Sequence, residues 1–146
     1  MDKKEELIFS EPSSEKIKED VTFAMVKPDA LKGGEWKDIM KKIENTGLTV
    51  RAAQVTILDR QKIEDLYRDR ILPDWAEELF EYLVSGPSIT LVISGENANQ
   101  KMTDLRNQIR DEYDVHFLRN MIHAANNTEE AKRQIKLFFN DEVLLN

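Results

Sequence analysis

The chain has no cysteine, which excludes disulfides, thiolate metal sites and cysteine nucleophiles together. That lack suits a reducing compartment. Histidine is almost as scarce. Only His116 and His123 occur and no H-E-x-x-H is present, so a histidine-rich zinc site is excluded. Apolar runs such as Ile89 to Ile93 fall far short of a bilayer span. Basic charge is also in deficit, with 21 Lys and Arg against 28 Asp and Glu, a formal net charge of −7. Such a surface repels nucleic-acid backbone and anionic lipid, so neither stable nucleic-acid binding nor membrane binding is expected. A small phosphorylated ligand needs only a local basic pocket. The N-terminus shows neither the apolar core nor the small-residue cleavage site of a secretion signal, so the cytoplasm is the expected location. Lys32-Gly33-Gly34 is followed by no G-K-[ST], and no G-x-G-x-x-G or G-x-S-x-G occurs, which removes the Walker, dinucleotide and serine-elbow readings.

What is present suits one soluble domain. The 146 residues are 40% hydrophobic and 34% charged, enough to bury a sizeable core. Residues 1–20 carry seven acids, four lysines and Pro12, with Leu7, Ile8 and Phe9 as their apolar cluster. They read as a mobile extension or as a segment docked through that cluster, and the folded domain as residues 21–146.

Within the domain, Val21 to Val26 is apolar and β-prone up to Pro28 and predicts a buried strand. Gly33-Gly34 marks a turn. Trp36, Ile39, Met40 and Ile43 recur at helical spacing up to Gly47. Leu48 to Leu58 reads as a second strand, and 60–70 and 75–84 as helices parted by Pro73. Ser88 to Ile93 reads as a third strand, Asn97 to Ile109 as a helix and Tyr113 to Leu118 as a fourth strand. Asn127 with Glu130 three positions on resembles a capping box for a last helix that buries Ala131, Ile135 and Phe138. One sheet covered by helices is the natural architecture.

Candidate chemistry gathers near turns. Lys27 follows the first strand directly and sits at the sheet's rim, as a solvated side chain or as a point charge for phosphate. Arg110, Arg119, Asn120 and His123 fall within fourteen residues. Two arginines, an amide and an imidazole can hold phosphate and sugar hydroxyls and supply a nucleophile. A lone histidine is as readily structural, and His116 reads as a surface or packing residue.

These residues match a family. Thr22-Phe23-Ala24-Met25-Val26-Lys27-Pro28-Asp29 resembles the first-strand signature of nucleoside diphosphate kinases. Ser85-Gly86-Pro87, its following strand and Gly95-Glu96-Asn97 are similar to the middle of that family. Arg119-Asn120-Met121-Ile122-His123 resembles its active-site segment, R-N-x-x-H. The resemblance runs from about Val21 to Asn146.

It implies an α+β, ferredoxin-like βαββαβ core with an antiparallel four-stranded sheet and additional helices. It implies ping-pong transfer of the γ-phosphate of a nucleoside triphosphate to a nucleoside diphosphate through phosphohistidine at His123. Substrates would be ATP, GTP, ADP, GDP and others, with Mg²⁺ bound through their phosphates. Carried over by position, Lys27 would hold a phosphate oxygen and a ribose hydroxyl, Asn120 the ribose, and Arg110 phosphate. Tyr67 and Trp75 fall on the family's aromatic positions, Trp75 as nucleobase platform or as a helix-start core residue.

The departures are specific. The family's H-G-S-D is His123-Ala124-Ala125-Asn126, its glycine before R-N is Leu118, and the glutamate that orients the imidazole is Gln134. Gln134 can accept from the ring but adds no charge. The family's longer loop between Asn97 and Arg110 is absent, leaving Arg106 or Lys101 as substitutes for its phosphate ligands. That loop helps build family hexamers, so a homo-oligomer is expected here, a dimer rather than a hexamer. A weakly active or inactive nucleotide-binding scaffold is the alternative. A ferredoxin-like RNA-binding module fits the fold but lacks the aromatic strand motif.

Overall fold

Strand β1 (Glu19–Val26) runs through the middle of the sheet, antiparallel to β3 (Ser88–Glu96) on one side and to β4 (Ile122–Ala124) on the other. Strand β2 (Thr49–Thr56) pairs antiparallel with β3, with a register break between Val50 and Ala52, giving the order β2-β3-β1-β4. The computed structural model describes residues 19–68, 74–113, 115, 120–140 and 143. Six helices are described: α1 (Pro28–Gly33), α2 (Trp36–Asn45), α3 (Arg60–Leu66), α4 (Ala76–Val84), α5 (Ala98–Tyr113) and α6 (Thr128–Phe138). None is long and apolar enough to cross a membrane. The antiparallel sheet and its helices form the expected ferredoxin-like α+β fold.

Both faces of the sheet are covered, which is why β1 carries no charge from Val21 to Val26. Ala24 and Val26 join Ile39, Ile43, Met102, Leu105 and Ile109 in one fully apolar cluster beneath α2 and α5. Phe23 and Met25 point the other way, into a cluster with Leu66, Tyr67, Leu79, Leu83 and Ile135 from α3, α4 and α6.

The differences from the sequence reading are local. Pro28 stops β1 but is also the first residue of α1, a place where its fixed φ and missing N–H are tolerated. Helix α5 continues to Tyr113, where the expected strand from Tyr113 to Leu118 would have begun. Residues 114 and 116–119 lie outside the described residues, and β4 is found at Ile122–Ala124. His123 therefore belongs to a strand, not to the turn after one. The Asn127 side chain accepts from the Glu130 backbone N at 2.9 Å, as the capping signature requires. The expected 1–20 extension lies almost wholly outside the described residues.

Candidate active site

The site grows from the alternation of β4. Ile122 and Ala124 face the cluster beneath α5, so His123 between them faces α3 and α6, opposite Met25 of β1. The imidazole is buried, with the Phe23 ring at 6.0 Å and the Tyr67 ring at 5.4 Å, both edge-on. Its Nε2 lies 2.9 Å from Oε1 of Gln134. The amide nitrogen of Gln134 donates to Glu130 Oε1 at 3.3 Å, which turns the amide oxygen toward the ring. An amide oxygen only accepts, so Nε2 carries the proton, and the neutral ring's lone pair is on Nδ1.

Lys27 stands at the rim where β1 becomes α1. Its Nζ donates to Asn120 Oδ1 at 2.7 Å, and its backbone N to Met121 O at 2.8 Å. Burial, reinforced by the Arg110 charge, lowers its pKa from 10.5 to about 7, with Asp29 opposing and Arg106 adding to the depression. Such an ammonium gains most from an arriving anion.

Arg110 donates to Asn120 Oδ1 at 3.2 Å and to Ile122 O at 2.7 Å. One turn earlier on α5, Arg106 donates to Ala124 O at 3.3 Å and Asn126 Oδ1 at 3.2 Å. Four helical residues advance about 6 Å and two strand residues about 6.6 Å, so the two guanidinium groups fall in register with alternate β4 carbonyls. They cap the sheet edge and place positive charge along it.

The turn that delivers the strand is strained. Met121 has φ +71°, and Ile122 N donates to Asn120 O at 2.7 Å, which is a γ-turn around a side chain that disfavours it. Asp29 holds it, one oxygen accepting from Met121 N at 3.1 Å and the other from the Tyr82 hydroxyl. Burial, then the Asp29 bond, raises the Tyr82 pKa and keeps the phenol a donor.

Contacts thus link Lys27, Tyr67, Arg110, Asn120, His123 and Gln134. Tyr67 is the C-cap of α3, with Lys27 Nζ 5.8 Å from its ring. Trp75 is the N-cap of α4, partly buried against the apolar cluster on the His123 face. Ala125 is fully buried there. Arg119 and Leu118 lie outside the described residues. Sequence reasoning gave no role to Tyr82 or, beyond the first-strand signature, to Asp29, and read Glu130 only as a helix-capping partner of Asn127. Asp29 was visible only as the end of Lys-Pro-Asp, and Tyr82 had no signal.

Lys27, Arg106 and Arg110 thus gather positive charge near one buried histidine on a ferredoxin-like sheet, an arrangement suited to a phosphate-handling class of protein. The family model described as nucleoside diphosphate kinase matches residues 20–144, and the chain belongs to the nucleoside diphosphate kinase family. It is 34% identical over 134 residues to a nucleoside diphosphate kinase of Listeria monocytogenes, covering 85% of this chain and 91% of that one. It is 30% identical over 133 residues to one from Ignicoccus hospitalis, covering 84% and 90%. Among solved structures, the apo enzyme of Encephalitozoon cuniculi superposes with TM-score 0.80 at 30% identity, over 85% of this chain and 91% of that one. A transition-state mimic of the Borrelia burgdorferi enzyme with bound vanadate and ADP gives TM-score 0.79 at 25% identity, over 88% and 91%.

Proposed function

We propose that this chain transfers the γ-phosphate of a nucleoside triphosphate to a nucleoside diphosphate through phosphohistidine at His123. The observation that carries the reading is the single imidazole whose Nε2 is bound to Gln134 beside the Lys27, Asn120 and Arg110 cluster. The Nδ1 lone pair attacks the γ-phosphorus, an N–P bond forms, and the bond to the bridging oxygen breaks, its electron pair leaving with the diphosphate. In the second half, a terminal oxygen of the incoming diphosphate attacks phosphorus and the N–P pair returns to the ring. Such transfer needs mainly alignment and neutralised charge.

Lys27 and Arg110 supply positive charge to phosphate oxygens, and Asn120, held between them, turns toward ribose hydroxyls. Tyr67 packs the imidazole edge and limits its rotation. Trp75 offers its exposed face to the base, a contact that tolerates any base. ATP, GTP, ADP and GDP are the substrates, and the ADP in the Borrelia relative supports a nucleotide partner. Among the described residues no group of three carboxylate or histidine side chains could hold a metal ion. The donor set is cationic, which fits a Mg²⁺ held by the nucleotide's phosphates, where it neutralises and orients their oxygens.

A scaffold that binds nucleotide without turnover is the second reading, favoured by the uncharged Gln134 and by Ala125, which lies in apolar packing. Incubation with γ-labelled ATP and Mg²⁺, followed by a nucleoside diphosphate, separates the two. The kinase gives an acid-labile phosphoprotein that discharges to triphosphate. Unlabelled wild type, or equal labelling of His123→Ala, defeats it. The chain is further proposed to act in the cytoplasm as a homodimer, a reading supported by Val55 and Ile57, each 66% exposed along and just beyond β2.

A further inference from the structure

We infer that Glu130 supplies, through the Gln134 amide, the negative charge that acts on the His123 imidazole, and so serves as a positioning residue for the transfer. The inference rests on the phosphohistidine reading above and deepens it.

A continuous line of hydrogen bonds carries it. His123 Nε2 meets Gln134 Oε1 at 2.9 Å, and Gln134 Nε2 meets Glu130 Oε1 at 3.3 Å. Glu130 and Gln134 are four apart on α6 and share one face. The carboxylate is fixed in place. Arg133 donates to it at 2.9 and 3.3 Å, and also to the last carbonyls of α3, Asp65 O at 2.6 Å and Leu66 O at 3.2 Å. The Arg133 bonds hold the Glu130 pKa below the ordinary carboxylate range, so the group is anionic near neutrality.

A carboxylate that accepts from one end of an amide polarises it and makes the other end a stronger acceptor. The Nε2–H then leans further toward Gln134 as the ring gains positive character on attacking phosphorus. A glutamate in place of Gln134 would set two carboxylates one helical turn apart, and like charges that close disfavour joint ionisation. Here the charge sits one turn earlier, where Arg133 and a side chain 29% exposed offset its desolvation.

Among the described residues, the other nearby charges are Lys27 with Asp29, Arg106 and Arg110 around it, and Arg133 and Arg68 beside Glu130; Tyr67 contributes a phenol. The cations oppose protonation of His123. Glu130 is the carboxylate joined to the ring's Nε2 by hydrogen bonds.

The test is ¹⁵N NMR titration of His123 beside rapid-quench phosphorylation, in wild type, Glu130→Gln, Arg133→Gln and Glu130→Gln/Gln134→Glu. Glu130→Gln should move the His123 titration to lower pH by about half a unit, roughly threefold in the dissociation constant. It should slow phosphorylation by a similar factor and leave ADP affinity unchanged. Arg133→Gln, which removes the opposing charge, should move the titration the other way, and the double variant should restore it. An unmoved titration in Glu130→Gln, or shifts of the same sign for Glu130→Gln and Arg133→Gln, would overturn the inference. If the titrations shift as stated while no variant forms phosphohistidine, the coupling is supported and the transfer reading fails.

Discussion

The two edges of the sheet are built differently. At one, β4 has three residues, alternate carbonyls covered by Arg106 and Arg110, and its middle side chain buried against α6. At the other, β2 has eight residues, interrupted by one irregularity, and leaves Val55 exposed, with Ile57 exposed just beyond it. Beside that edge opens a cavity of about 840 Å³ lined by Val55, Pro87 and Ile89 and also by Asp29 and Tyr82, which hold the turn before β4. A short, capped strand can hold one side chain in a fixed position. A long edge strand that exposes an apolar side chain invites another surface. The proposed transfer and the proposed association thus use opposite edges of the sheet, and separate substitutions can test each.

The largest effect belongs to the β4 edge. His123→Ala should abolish the phosphoprotein, at least about a thousandfold in transfer rate, with ADP binding retained. Lys27→Met should cost about 10²-fold in phosphorylation by quenched flow, because a charge aimed at phosphate in a buried site is lost. Arg110→Ala should follow at about tenfold, read mainly in KM, and it uncovers Ile122 O as well. At the β2 edge, Val55→Lys with Ile57→Lys should shift the proposed dimer to monomer by light scattering. Labelling of His123 should change less than about twofold, since β2 lies two strands from the site. A loss of labelling as large as that of Lys27→Met would break the comparison.

The smallest effect is one of pH. Lys27 has a folded-state pKa of about 7 against its ordinary value of 10.5. Between these values the unfolded chain binds the extra proton, so stability should rise with pH from about 7 toward 10.5 and level off beyond. Chemical denaturation at pH 7 and pH 9 measures this, and Lys27→Met should flatten the slope. For the same reason ADP binding at pH 8 should take up a proton, visible by calorimetry in buffers of different ionisation enthalpy.

How much of this was legible depended on how local each cause was. The apolar run of β1, the helical stripe of α2 and the Asn127 cap are local, and the structure has all three. The end of the sheet was not. Residues 113–118 look more β-prone than Ile122-His123-Ala124, a strand held by pairing to β1 and by arginines from α5. Met121 adopts its positive φ because Asp29, 92 residues away, holds its N–H. Lys27, Arg110, Asn120 and His123 could be named from motif and spacing, but their mutual bonds could not. The Gln134–Glu130 contact follows from side-chain direction along α6. That is why Gln134 read in sequence as a lost charge and in the structure as a link to a neighbouring one.

The central claim concerns which imidazole nitrogen accepts the phosphoryl group. With Nε2 bound to Gln134, the account predicts an N–P bond at Nδ1. ¹⁵N–³¹P correlation NMR of the phosphorylated chain measures this directly: coupling at Nδ1 with a protonated Nε2 is the predicted result, and phosphate on Nε2 would contradict the account.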